Sequence, residues 1–140
     1  MLAVREAFPS KRLLVLDVGS AVTADVVSVE GEHVGGYISP GLPLMEKLFM
    51  AHGDRVQVQG LALSSPLRAG CSTLDCVQNG VTAMLVGFVQ EVLRVETVDV
   101  LIWTGGGAEA LRALCRMTHE DHLRPEAVLE GLHVMDSYAL

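Results

Sequence analysis

The sequence predicts an α/β domain in which a three-strand antiparallel unit is followed by alternating helices and strands. Three strand-like segments, residues 13–16, 22–29 and 34–38, are joined by short turns at the start of this pattern. A long helical pattern begins at Ser72, and a buried strand is expected at residues 98–104. No repeat, low-complexity segment or linker divides the sequence, so the 140 residues are expected to form a single domain.

The first strand, residues 13–16, is a run of apolar side chains typical of a buried strand, and Asp17 ends it. Gly19, Ser20 and Ala21 are small residues that predict a tight turn. A carboxylate beside a glycine turn can hold a metal or a phosphate, because the N–H groups of the turn and the carboxylate meet at one point. Many purely structural turns have the same pattern, so the motif alone leaves both interpretations open.

In the second strand apolar and polar residues alternate. Thr23 and Asp25 are therefore expected on one face, and Val22 and Ala24 on the other. Residues 30–32 form a hairpin turn signal that leads into the third strand.

Two helices are expected in the middle of the chain. Apolar residues recur at helical spacing over residues 42–52, and Gly53 is the expected C-cap. Residues 55–63 are either extended or a loop. The longest helix begins at Ser72, which together with Asp75 three positions later resembles a capping box.

The long helix is expected to pack through one apolar stripe, which consists of Leu74, Val77, Val81, Met84, Leu85, Phe88, Val92 and Val95. Gly80 and Gly87 lie on nearly the same face, and each costs about 1 kcal/mol of helix stability relative to alanine. Close approach of another element would explain them, and so would chance.

The C-terminal part of the sequence continues the alternation of strands and helices. The glycine run at residues 105–107 follows the fourth strand, and a helix is expected at residues 108–117, with Leu111, Leu114 and Cys115 facing inward. A fifth strand is expected after that helix, although the sequence there is too polar to define it. The remaining expectations, taken in chain order, are a short helix at 2–8, a polar loop at 119–122 and a terminal helix at 125–138.

The composition limits the possible functions. The net charge of −7 argues against non-specific binding to nucleic acid or to anionic membranes. Half of the residues are hydrophobic and the mean hydropathy is +0.39, so part of the apolar surface is expected to be buried against another chain or domain.

Cys71, Cys76 and Cys115 lack C-x-x-C spacing and are expected to be reduced thiols. With no signal-peptide pattern and no window of about 18 apolar residues, a cytoplasmic protein is expected.

Several motifs resemble those of type III pantothenate kinases and the related Bvg accessory factor proteins. Residues 17–25 resemble the family pattern D-x-G-T-A-x-T-x-D, and residues 35–41 match its G-G-x-I-x-P-G. Two later landmarks follow in the same order, namely residues 70–73 with Gly80 and residues 104–106. The resemblance covers nearly the full chain.

This resemblance implies one ribonuclease-H-like lobe of the actin-like ATPase fold, in which two such lobes clasp a nucleotide. It corresponds to the second lobe of the kinase. The family's D-x-G-N-[ST] phosphate loop and the catalytic aspartate of its G-x-D-R motif are not found in the sequence. The N-terminal ATP-binding lobe is therefore expected to be absent, and the chain is expected to be inactive without it. No catalytic residue is assigned.

The resemblance also implies the ligands of the first turn. The aspartate that matches Asp17 binds a monovalent cation, usually K⁺, that supports ATP binding in the family. Ser20, preceded by Gly19, occupies the position of a threonine that contacts an ATP phosphate, and a serine hydroxyl can still make that hydrogen bond. Mg²⁺ is expected to accompany ATP. Thr23 and Asp25 match further positions of the pattern, with a polar surface as the alternative explanation.

Two further sites follow from the same resemblance. Gly105 and Gly106 match a loop near the adenine end of ATP. The threonine that matches Thr73 contacts pantothenate across a dimer interface, and a helix N-terminus favours such an anion. Capping of the helix by Thr73 or Ser72 is the alternative, and both roles are compatible. A homodimer is expected.

The histidines are given no functional role. His119 and His122 lack the fixed helical spacing of a zinc motif, so a solvated loop is the preferred interpretation of that segment. His33, His52 and His133 are scattered along the sequence.

Three hypotheses follow. The first is half of a type III pantothenate kinase, which converts ATP and pantothenate to 4′-phosphopantothenate in coenzyme A biosynthesis and requires a separate or fused N-terminal lobe. The second is a non-catalytic regulatory or assembly module like the Bvg accessory factor branch. The third is a fragment without a function of its own. Nucleotide binding that depends on Asp17 would favour the first hypothesis.

Overall fold

A computed structural model describes residues 7–52, 56 and 58–125. The described chain contains five strands: β1 Leu13–Val18, β2 Ala21–Val27, β3 His33–Pro40, β4 Val100–Thr104 and β5 Glu120–Leu123. It also contains three helices: α1 Leu42–His52, α2 Thr73–Val95 and α3 Ala108–Leu114. The predicted α/β class, with its antiparallel unit followed by alternating helices and strands, is confirmed.

The strands form one mixed sheet in the order β3-β2-β1-β4-β5. Strands β1, β2 and β3 are antiparallel neighbours, as expected from their short connecting turns. Strand β4 pairs with β1 in the parallel direction, and β5 pairs with β4 in the same way. The first strand of the chain is therefore the central strand of the sheet.

The two faces of the sheet bury different sets of residues, because side chains alternate along a strand. Leu14 and Leu16 of β1 belong to the larger core, which also contains buried residues of all three helices. Leu13 and Val15 point to the other face and form a smaller cluster with Val100, Val27 and Ile102. Asp17 lies on this second face, two positions after Val15.

Helix α2 packs on the sheet through an arc that differs from the predicted stripe. Its buried residues are Val81, Thr82, Leu85, Val89 and Val92. Leu74, Met84 and Val95 were expected in the stripe but are exposed, Met84 by 60%. Each residue advances the helix by about 100°, so a neighbouring arc that contains Val89 faces the sheet instead, while Leu74 and Val95 lie at the ends of the helix.

Gly80 and Gly87 of α2 do not mark a close contact within the described chain. A Cβ atom added to either residue would meet nothing within 4 Å. Of the two explanations for these glycines, close approach of another element is therefore not supported by the described residues.

By length and composition, α2 is the one described helix that could cross a membrane, with an 18-residue window of mean hydropathy 1.2. The core helix of a soluble protein meets the same criteria, and Leu85 and Val89 are buried in the larger core. Because α2 also contains Gln78, Asn79 and Gln90, it meets a criterion of mean hydropathy and is not the run of about 18 apolar residues that was not found in the sequence.

Two assignments in the C-terminal part need correction. Of residues 119–122, expected as a polar loop, residues 120–122 belong to β5, which is the expected fifth strand whose position the sequence left undefined. The strand forms because backbone pairing with β4 does not require apolar side chains. Helix α3 ends at Leu114 rather than at residue 117, and Leu114 is only half-buried.

Other assignments lie wholly or largely outside the described residues. They are the helix at 2–8, the C-cap at Gly53 and the terminal helix at 125–138.

Candidate functional site

Three polar side chains form a row across neighbouring strands at the carboxyl end of β1. Asp17 is paired with Thr104 of β4 on one side and with Thr23 of β2 on the other. Paired residues share a face of the sheet, so the three side chains point the same way. Thr104 is buried, and its hydroxyl donates to the carbonyl oxygen of Pro125 at 3.3 Å. The parallel pairing of β1 with β4 thus places the first turn beside the glycine run.

The glycine run lies directly against the end of β1. The Gly107 N–H donates to the carbonyl oxygen of Val18 at 2.9 Å. A Cβ atom on Gly105 would collide with Oδ1 of Asp17 and would lie 2.7 Å from the Val18 carbonyl oxygen. Gly105 also has a φ of +88°, a conformation that side chains disfavour. Glycine at position 105 therefore permits the close contact between the two loops.

The turn after β1 is fixed by backbone hydrogen bonds. The Gly19 N–H donates to the Ala21 carbonyl at 2.9 Å, and the Gly41 N–H donates to the Ser20 carbonyl at 2.8 Å. A Cβ atom on Gly41 would collide with the Gly19 carbonyl oxygen. The G-G-x-I-x-P-G segment therefore ends in a glycine that lets the start of α1 pack on the first turn.

A cleft of about 630 Å³ opens between these loops and the helices. Gly19 and Ser20 line it from the first turn, and Gly106 and Gly107 line it from the second loop. Its remaining walls are apolar and consist of Val18, Leu42, Pro43, Leu61, Ala62, Leu63, Leu85, Ala110 and Leu111. This combination suits a ligand with an apolar ring and a polar group at one end.

Asp17 does not line this cleft, because it points to the opposite face from Val18. No described lysine, arginine or histidine lies within salt-bridge distance of its carboxylate. The described residues also contain no cluster of three or more histidine, cysteine or acidic side chains. A cation on Asp17 would therefore need backbone or ligand oxygens to complete its coordination, which suits a hard ion such as K⁺ rather than zinc.

Thr73 lies apart from this group of residues. It is the exposed first residue of α2, and it lines neither the cleft above nor the polar cleft beside the helix start. Ser72 caps the helix, since its hydroxyl oxygen accepts from the Asp75 N–H at 3.1 Å. The cap is therefore Ser72, and no cap hydrogen bond involves the Thr73 hydroxyl.

The polar cleft beside Thr73 has a volume of about 520 Å³. It is lined by Ser64, Ser65, Pro66, Arg68, Ala69, Gly70, Cys71, Asp75, Gln78 and Asn79. Asn79 shapes one wall, because its side chain accepts from the Arg68 N–H at 3.0 Å and donates to the Asp75 carbonyl at 2.8 Å. The sequence interpretation missed this cleft, although polar residues at 75, 78 and 79 interrupt the apolar pattern of α2.

The remaining polar residues of the sequence pattern and the histidines are engaged elsewhere. Asp25 accepts from the Thr23 hydroxyl at 3.2 Å and lies 2.9 Å from Nε2 of His33. Nε2 of His122 lies 2.8 Å from Oε1 of Glu120. His119 precedes β5, and its Nδ1 lies 3.4 Å from the hydroxyl oxygen of Thr118.

Comparisons with known proteins identify relatives over most of the chain. A protein-family model described as type III pantothenate kinase matches residues 1–95. A type III pantothenate kinase from Ectopseudomonas mendocina is 40% identical over 129 residues, which is 86% of this chain and 51% of that relative. The chain spans about half the length of the curated relatives it matches.

Two solved structures resemble the fold. One, described as a Baf family transcriptional activator from Campylobacter jejuni, has a TM-score of 0.66 and 22% identity, covering 99% of this chain and 64% of that one. The other is an activator of 2-hydroxyisocaproyl-CoA dehydratase from Clostridium difficile with bound ADPNP. Its TM-score is 0.56 and its identity 13%, covering 96% of this chain and 63% of the activator. At these identities the likeness extends to the fold alone.

Proposed function

The chain belongs to the type III pantothenate kinase family, and on that basis we propose that it forms the second lobe of such a kinase. The complete enzyme transfers a phosphoryl group from ATP to pantothenate, giving 4′-phosphopantothenate for coenzyme A biosynthesis. The lobe has the ribonuclease-H-like form of the actin-like ATPase fold, and the enzyme is a cytoplasmic homodimer.

One observation carries this proposal: the first turn and the second glycine loop meet at one cleft. Ser20 offers an exposed hydroxyl to a phosphate, and Gly106 and Gly107 leave room beside the apolar wall for the adenine ring. The nucleotide-bound activator with a similar fold supports a nucleotide as the ligand.

Asp17 is the proposed ligand of the monovalent cation. Its carboxylate has no cationic partner among the described residues, so its charge is available to an ion. Bound there, K⁺ would partly neutralise the negative charge that ATP brings, while Mg²⁺ would travel with the phosphates. The contact between Asp17 and Gly105 would link this ion to the nucleotide loop.

Thr73 is the proposed contact of pantothenate. Thr73 does not line the nucleotide cleft, which is consistent with a site completed by a second subunit, in which Thr73 of one subunit serves the nucleotide of the other. No catalytic base is assigned among the described residues. Turnover is therefore proposed to require a further lobe that carries the phosphate loop and the catalytic aspartate, in the same chain or in a separate one.

The test is calorimetric titration of the chain with a non-hydrolysable ATP analogue, in K⁺ and in choline buffers. Asp17→Ala is expected to weaken binding about tenfold, which corresponds to about 1.4 kcal/mol, and to abolish the preference for K⁺. Glu32→Ala is the matched control, because it removes one carboxylate from the exposed β2–β3 turn, at the other end of β2 from the cleft. Its binding should equal that of the unmodified chain.

Absence of nucleotide binding, or binding that Asp17→Ala leaves unchanged, would contradict the kinase proposal. A folded chain with that behaviour would instead fit a non-catalytic module like the Bvg accessory factor proteins. Pantothenate phosphorylation should be absent for the chain alone and should appear when the N-terminal half of a relative is added.

A further inference from the structure

Two exposed cysteines flank the start of helix α2. Ser72 is the N-cap, so Cys71 immediately precedes the cap and Cys76 is the fourth residue of the helix. Side chains at these two positions commonly touch across the first helical turn, an arrangement known as the hydrophobic staple. In this arrangement the Cys71 and Cys76 side chains would meet across the first turn of α2.

The contacts around Gly70 support this proximity. The Cys76 thiol donates to the Gly70 carbonyl oxygen at 3.4 Å, and that carbonyl belongs to the peptide bond leading into Cys71. Covalent geometry then limits the distance from Cys76 Sγ to Cys71 Cα to about 6 Å. A Cβ atom on Gly70 would collide with the Cys76 backbone nitrogen, so the chain before the helix lies directly on its first turn. A disulfide needs Cα atoms about 4.4–6.8 Å apart, so its formation would require the loop before α2 to bring the Cα atom of Cys71 within that range of the Cα atom of Cys76.

The third cysteine provides an internal reference. Cys115 is buried in the larger core, and burial raises the pKa of its thiol to about 11. Because the thiolate is the reactive form, Cys115 should react slowly, whereas Cys71 and Cys76 are open to solvent.

We propose that Cys71 and Cys76 form a reversible intrachain disulfide, with a low-molecular-weight disulfide as the oxidant. One thiolate attacks a sulfur of the oxidant, which forms a mixed disulfide and releases one small thiolate. The second cysteine then attacks the protein sulfur of that mixed disulfide and releases the second small thiolate. The two protein thiols lose two protons and two electrons, and the oxidant is reduced to two thiols.

The disulfide would control the segment it encloses. Ser72 and Thr73 lie between the two cysteines, so the closed ring fixes the backbone on either side of Thr73. This consequence rests on the proposed role of Thr73 in pantothenate binding. The oxidised chain would bind pantothenate less tightly, and reduction would restore binding, as in redox-sensing disulfides of reducing compartments.

The test is to incubate the reduced chain at low protein concentration with excess oxidised glutathione and to measure its intact mass after acid quenching. The unmodified chain should lose the mass of two hydrogen atoms. Cys115→Ser should lose the same mass, because Cys115 takes no part. Cys71→Ser and Cys76→Ser should instead retain one glutathione, since the second thiol is missing. Circular dichroism would verify that each variant is folded.

Accumulation of mixed disulfides alone, of covalent dimers, or of an intrachain bond in Cys71→Ser would overturn the proposed disulfide. Pantothenate titration of the reduced and oxidised chains addresses the regulatory step, with about tenfold weaker binding expected after oxidation. Equal binding by both forms would overturn that step. Absence of binding to the reduced chain would contradict the proposed role of Thr73, while the mass measurement would still decide on the disulfide.

Discussion

The Tyr37 hydroxyl donates a 2.7 Å hydrogen bond to Oε1 of Glu96, which connects the edge strand β3 to the residue that ends α2. Nη2 of Arg12 donates to the other oxygen of the same carboxylate at 3.2 Å. Glu96 therefore joins β3, α2 and the segment that enters β1. The pKa of Tyr37 is raised above its usual value of 10.0, because the hydrogen bond to Glu96 and the nearby negative charge favour the protonated phenol.

This bond predicts a specific dependence of stability on pH. A folded-state pKa above the unfolded value means that the contribution is fully present below about pH 10 and is lost as pH rises through the raised pKa. Tyr37→Phe should lower the urea midpoint at pH 8, and its difference from the unmodified chain should shrink above pH 10. Glu96→Gln should bring the pKa of Tyr37 back toward its usual value. A Tyr37→Phe difference that stays constant to high pH would contradict this origin.

The close contact at Gly105 predicts a graded set of alanine substitutions. Gly105→Ala should destabilise the chain by more than the roughly 1–3 kcal/mol expected from its φ alone, because the new methyl group also meets Asp17 and Val18. Gly60→Ala shares a positive φ but has open space around it, so only the roughly 1–3 kcal/mol of the φ effect is expected. Gly106→Ala, with nothing nearby, should have the smallest effect.

Urea unfolding followed by the fluorescence of Trp103, the single tryptophan, would measure these three values. Equal losses for Gly105→Ala and Gly60→Ala would show that the contact with Asp17 contributes nothing.

Ser20 is predicted to make one hydrogen bond to a phosphate oxygen. Its side chain is exposed at the cleft, so Ser20→Ala should leave the free energy of unfolding nearly unchanged. The same substitution should weaken nucleotide binding by roughly tenfold, because a hydrogen bond to a charged group contributes about 1.5 kcal/mol. Ser20→Thr keeps the hydroxyl and should bind as tightly as the unmodified chain. Calorimetric titration of both variants measures the effect, and weakening by Ser20→Thr but not by Ser20→Ala would contradict the hydrogen bond and indicate a steric effect at this position.

At the start of α2, helix capping and ligand binding are predicted to depend on two different residues. Ser72→Ala removes the hydrogen bond to the Asp75 N–H and should cost about 1 kcal/mol of stability. Thr73→Ala changes an exposed side chain without a capping bond and should alter stability by less than about 0.5 kcal/mol. Only Thr73→Ala should lose the pantothenate contact at unchanged stability. The reverse pattern, with Thr73→Ala destabilised and binding intact, would assign Thr73 a structural role.

The sequence predicted the elements with strong periodicity and missed those defined by their neighbours. The alternation around Thr23 and Asp25 was sufficient for β2, because one face of that strand is buried and the other is not. Strand β5 was expected, but its position could not be defined because Asp121 and its neighbours are polar. Asp121 is held by an ion pair with Arg112 of α3, which no pattern within the strand reveals.

The arrangement of the candidate site was also only partly predictable from the sequence, for a similar reason. Gly19, Ser20 and Gly106 line one cleft, whereas Gly105, which was predicted to contact the same ligand as Gly106, lies against Asp17 and does not line it. The position of Asp17 on the opposite face, against Gly105, depends on the parallel pairing of β1 with β4, which sequence periodicity does not specify. Similarly, helical spacing identified the apolar residues of α2 but not whether Met84 or Val89 would face the sheet, because the two define neighbouring arcs.

The parallel pairing of β1 with β4 also affects when the cleft forms during protein synthesis. The hairpins of β1, β2 and β3 can form from local contacts, whereas β4 is made only after α1 and α2 have followed. Contacts between segments that are distant in sequence form late, because the intervening chain must first be ordered. A nascent chain therefore carries Asp17 and Ser20 before Gly105 and Gly106 can join them. Nucleotide capture would report that β4 and the glycine run after it have joined β1, and ribosome-bound chains that end before β4 should remain unable to bind.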